Sequence, residues 1–116
     1  MASGTIKSTS YGGGNSTLLA SGTPQSSWTA TLVTVQLSDN LSNYRYIRAI
    51  EYNSNDQNTI VNEELPIDLF KNGIDIYGVY SPASSVTGGL KVRYLSDTSI
   101  GVSSFGYTGF RIYGIK

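Results

Sequence analysis

Short runs in which every second residue is apolar recur along this chain, separated by stretches rich in Gly, Ser, Asn and Asp. In the run Trp28–Leu37, Val33, Val35 and Leu37 alternate with Thr34 and Gln36. Between positions 46 and 52, Tyr46, Arg48, Ile50 and Tyr52 share one parity, and Ile47, Ala49 and Glu51 share the other. In the closing segment, Phe110, Ile112 and Gly114 alternate with Arg111, Tyr113 and Ile115. Successive side chains of a strand point to opposite faces. Each run therefore predicts a strand with one buried and one wetter face. A closing strand of this kind must be pinned by neighbours, because free ends fray.

The same reading predicts further strands at Leu18–Ala20, at 59–62 continuing through Leu65–Phe70, and at Ile74–Tyr80, Leu90–Leu95 and Ser99–Ser103. Leu90–Leu95 is expected to pair with Ile74–Tyr80 across a loop holding Pro82, Gly88 and Gly89. Pro66 demands an edge or a break, since proline cannot donate to a ladder. The segment Ser38–Tyr44 reads as a turn, because Asp and Asn side chains bond to their own backbone. Asn53–Asn58 reads as an exposed hairpin tip. No segment keeps an apolar helical period for three turns; Glu63–Phe70 comes nearest, and Pro66 limits it to a turn.

Strands spaced this closely, with turn signals between them, predict an all-β fold: an antiparallel β-sandwich of about eight strands, jelly-roll-like. Residues 1–14, ending in Gly12-Gly13-Gly14, read as a flexible or extended arm, and 15–116 as a single sandwich domain. A chain of 116 residues is long enough to bury a two-layer core unaided.

Composition narrows the chemistry. There are no cysteines and no histidines, which removes thiolate chemistry, disulfides, and the commonest general base and metal ligand. Carboxylates are scattered, and adjacent Glu63 and Glu64 face opposite sides of a strand, so no acid–base pair is predicted. The expectation is a non-enzymatic protein without cofactor or metal. Eight basic residues against eight acidic ones leave no cationic surface for nucleic acid or anionic lipid. No run is long and apolar enough for membrane insertion, and the N-terminus lacks the apolar core of a signal peptide. The sequons at Asn15 and Asn40 matter only on a eukaryotic secretory route.

Nine tyrosines and one tryptophan exceed what one small core needs. Tyrosine suits sites with one apolar and one wet side. The surplus predicts cross-strand pairs, a subunit interface or a stacking platform for sugar rings. The candidate binding residues are Trp28, Tyr44, Tyr52 and Tyr80, with Asn55 and Asp56 from the polar loop. Only one of the six residues in that loop is a carboxylate, so it reads as turn chemistry rather than a calcium site.

The run Leu18–Thr23 (LLASGT), then Val35–Tyr52 (VQLSDNLSNYRYIRAIEY), then Gly109–Lys116 (GFRIYGIK) resembles the small β-sandwich modules at the C-termini of tailed-phage tail fibres and related structural proteins. There, a strand ending in a Ser-Asp-like turn leads through Asn-Tyr into an aliphatic–aromatic strand, and the last strand carries an Ile-Tyr-Gly type ending. The match is best over Leu37–Tyr52 and Phe110–Lys116. It implies a virion module, in a tail or head fibre, that assembles as a homotrimer with other virion proteins. It also implies contact with a host-surface glycan or protein, and release outside the cell on host lysis. The sequence departs from that pattern in having no long shaft. Val35, Leu37, Ile47 and Ile50, within the matching segments, read as scaffold, so no binding residue is transferred. The competing readings are a free carbohydrate-binding module or lectin, with Trp28 at its sugar site, and a capsid decoration protein with no receptor role.

Overall fold

The computed structural model describes residues 15–23, 32–52, 59–80, 88–106 and 109–116. Eight strands form within them: β1 (Ser16–Gly22), β2 (Val33–Gln36), β3 (Tyr46–Tyr52), β4 (Thr59–Pro66), β5 (Ile76–Tyr80), β6 (Gly88–Ser96), β7 (Ser99–Phe105) and β8 (Gly109–Ile115). They make two four-stranded sheets, ordered β1-β8-β3-β4 and β2-β7-β6-β5. Every pairing is antiparallel. The fold is an all-β sandwich. The first strand pairs with the eighth and the second with the seventh, pairings that jelly rolls share. Strands β3–β4 and β5–β6 are simple hairpins.

The closing strand β8 is central, with β1 on one side and β3 on the other. Its alternation is realised: Phe110, Ile112 and Gly114 are buried, and Arg111, Tyr113 and Ile115 are half-buried on the outer face. Ile47 and Ala49 of β3 point inward beside them. Facing them from the second sheet are Ile76, Leu90, Val92, Ile100 and Val102. Each large side chain so buried stabilises the fold by roughly 1.5–3 kcal/mol. Leu41, from a 3-10 turn at Leu41–Asn43, joins this core.

Two expectations are corrected. Gly88 and Gly89, expected in a loop, open β6 and pair with Tyr80 and Val79. The strand predicted through Leu65–Phe70 stops at Pro66, and Ile67–Lys71 forms a short helix, α1. Strand β4 lies at the edge of its sheet, where a missing N–H costs no ladder bond. Beyond Pro66, Ile67 and Phe70 are three apart, so one helical turn buries both. The helix closes on Asn72 and Gly73, the latter at φ 102°, a backbone state glycine adopts without a Cβ penalty.

The turn predicted at Ser38–Tyr44 is built as its side chains suggest. Asp39 Oδ1 accepts from the Asn40 N–H (2.7 Å), and Asn40 Oδ1 accepts from the Ser42 N–H (2.9 Å). Among the described residues no helix is long and apolar enough to cross a membrane, and no group of three or more acidic side chains could hold a metal ion.

Candidate functional site

The predicted binding residues separate when placed on this frame. Trp28, Asn55 and Asp56 lie outside the described residues. Tyr44 is buried: 6% of its surface is exposed, and its ring packs over Gly114, where a Cβ would come within 2.6 Å. Its hydroxyl donates to Asp39 Oδ2 at 2.7 Å, and that bond leads the causes holding the Asp39 carboxyl below its usual range. Tyr44 therefore ties the turn to the last strand. Tyr52 and Tyr80 end β3 and β5 in different sheets. Tyr80 faces inward with Ile76, opposite Gly88, while Tyr52 faces outward.

Tyr52 belongs to a continuous outer face on the first sheet. The register places Leu18, Tyr113, Arg48 and Glu64 in one cross-strand row, and Ser21, Arg111, Ile50 and Asn62 in the next. Tyr46, Ile115 and Pro66 form a third row. The Arg111 guanidinium sits 4.1 Å from the centre of the Tyr52 ring, a cation–π distance. Arg48 bonds to Glu64 Oε1 at 2.6 Å and to Asn62 Oδ1 at 2.8 Å, which fixes its fork flat on the sheet. Tyr46, Ile50, Tyr52, Tyr113 and Ile115 are half-exposed, and among the described residues no third layer of strands or helix covers them. Their register brings them onto one face, which makes a broad surface of rings and aliphatic groups edged by charge.

Two concavities accompany this face. One is a mainly apolar cavity of about 200 Å³ between the sheets, lined by Gly22, Val33, Val35, Val102, Ser104 and Phe110 among others. Behind it lies Glu51, wholly buried in β3, accepting a hydrogen bond from Ser104 Oγ of the opposite sheet. Its other oxygen, Oε1, has no hydrogen-bond partner among the described residues. Burial pushes the Glu51 carboxyl up to about 7, against the pull of the Ser104 hydroxyl and the Gly89 backbone N–H.

The other concavity is a groove of about 290 Å³ where the outer face ends, between Tyr44, Arg45 and Tyr46 on one side and Pro66, Ile67 and Asp68 on the other. Two backbone bonds hold its walls: the Arg45 N–H donates to Ile115 O, and the Ile67 N–H donates to Arg45 O, both 2.8 Å. Ligand sites begin near about 300 Å³. The groove reaches that scale and the cavity falls short of it.

Sequence reasoning singles out Tyr46 and Tyr113 only as part of the aromatic surplus and passes over Arg45, Asp68 and Arg111. The signal for Arg111 is parity: Arg111 and Tyr52 belong to the wetter faces of two strands that pair. Comparison with known protein families, with curated proteins and with solved structures finds no match to this chain.

Proposed function

We propose that this chain is a non-enzymatic virion module of the phage-fibre type, assembling as a homotrimer and contributing weak, multivalent attachment to a host surface. The resemblance of Leu37–Tyr52 and Phe110–Lys116 to fibre modules motivates the reading, and the two-sheet antiparallel fold is compatible with it. The observation that carries it is the outer face of the first sheet. Tyr52 under Arg111, with Ile50, Tyr113 and Ile115 beside them, is the mixture of tyrosine, arginine and aliphatic groups that protein contacts favour. Three copies joined through such faces raise the effective concentration of any shallow site each carries, so weak binding sums to firm attachment.

The test is retention of the purified chain on immobilised bacterial surface polysaccharides. The proposal expects retention by the wild type and its loss when the face is charged by Arg111→Glu, because avidity disappears with assembly. Equal retention of both proteins, with both monomeric, would instead support a free carbohydrate-binding module. Retention on empty capsids but on no polysaccharide would support a decoration protein.

A further inference from the structure

We infer that the groove between Arg45 and Asp68 is a subsite for a neutral, hydroxyl-rich sugar ring. This deepens the attachment half of the proposed function and rests on it.

Charge pairing singles this groove out. Among the described residues, Arg48, Lys71 and Arg93 have carboxylate partners in Glu64, Asp97 and Asp75. Lys91, Arg111 and Lys116 lie over the rings of Tyr77, Tyr52 and Tyr44. Arg45 is the described cation with neither kind of partner, and it is an exposed residue of the groove's lining. Asp68 lines the same groove and forms no ion pair with Arg45 or with Lys71, which Asp97 engages at 3.0 Å. A guanidinium and a carboxylate thus border one groove without satisfying each other.

That arrangement selects among ligands. Guanidinium offers only donors and carboxylate only acceptors. An anion attracted to Arg45 meets Asp68, and a cation attracted to Asp68 meets Arg45. Neighbouring hydroxyls of a pyranose both donate and accept, so one neutral ring satisfies both groups with charge-assisted bonds. Tyr46 and Pro66 supply an apolar wall for the C–H edge of the ring. The walls are preformed, since the backbone bonds of Arg45 and Ile67 tie β3, β8 and α1 together at this point. The groove takes in Tyr46 and Pro66 of the third row, so it lies at the margin of the outer face and not at its Tyr52–Arg111–Tyr113 centre.

The experiment is an amide and arginine side-chain NMR titration of the full chain with the methyl glycosides of glucose, galactose, mannose and N-acetylglucosamine, with free sialic acid as the charged control. At least one neutral glycoside is expected to shift resonances of Arg45, Tyr46, Ile67 and Asp68. Arg45→Ala and Asp68→Asn should each weaken that binding by about tenfold or more, the loss of one charge-assisted bond, with unchanged spectra elsewhere. Arg45→Lys should lie between wild type and Arg45→Ala. The inference is overturned if no neutral glycoside moves these resonances, if the shifts survive in both variants, or if sialic acid binds more tightly than every neutral sugar. Native mass separates the two readings. A trimer that binds no sugar here defeats the subsite alone, whereas a monomer that binds one defeats the fibre-type assembly.

Discussion

Ser104 of β7 donates a hydrogen bond across the sandwich to Glu51 of β3, joining the two sheets through the one wholly buried carboxyl among the described residues. The unpartnered Oε1 beside it makes the ionised form costly.

This gives the fold a definite pH dependence. The carboxyl titrates near 4.5 when unperturbed and at about 7 in the fold. Below the lower value both states are protonated and Glu51 costs nothing. Between the two, the folded chain holds a proton that the unfolded chain releases, so stability falls as pH rises, and the full cost is reached above the upper value. The fall is on the order of 3 kcal/mol. No histidine titrates in this window to obscure it. Urea midpoints measured from pH 4.5 to pH 8 should decline for the wild type. They should stay nearly level for Glu51→Gln, which ought to be the more stable protein at the alkaline end. Parallel declines in the two proteins would refute this role for Glu51.

Gly114→Ala should destabilise strongly for its size. The new Cβ would lie 2.6 Å from Tyr44 Cγ, the ring atom least able to swing away. Relief requires moving the ring off Asp39, so a loss of roughly 1–3 kcal/mol is expected. Thermal unfolding measures it, and an unchanged Tm would show that the Tyr44 clamp is slack.

Ile112→Ala tests the core. Ile112 is wholly buried in the central strand and sits in register with Ala49 and Ala20, small side chains that cannot fill the space it leaves. A loss of about 2–5 kcal/mol is expected from denaturant unfolding. A loss below about 1 kcal/mol would mean that the two sheets close over the gap.

Legibility in the sequence follows how local each cause is. The parity of Tyr46–Tyr52 alone assigns Ile47, Ala49 and Glu51 to one face, and that face is the core; parity in 110–115 does the same for Phe110 and Ile112. The complete burial of Glu51 depends on a serine 53 positions away, which no local pattern reports. Helix α1 leaves only a weak trace, in the Glu63–Phe70 segment, because five residues are too few to show a period. Tyr44 reads as a contact residue because the glycine that receives its ring lies in the last strand. The groove is invisible for the same reason: Arg45 and Asp68 meet only when β3 and β4 form their hairpin.

Charging the outer face should separate assembly from folding. Arg111→Glu places a carboxylate over the Tyr52 ring, in register with Ile50, without touching the core. The variant is expected to keep a wild-type circular dichroism spectrum yet elute as a single chain. A variant that unfolds would show that the Arg111–Tyr52 pair serves stability instead, and Tyr113→Ala offers a gentler change to the same face.

The most direct measurement is the mass of the wild-type protein in solution by light scattering coupled to size exclusion, over a wide concentration range. The expected particle has about three times the 12.5 kDa chain mass and is dissociated by Arg111→Glu. A wild-type mass equal to one chain at the highest concentration reached would contradict the proposed trimer.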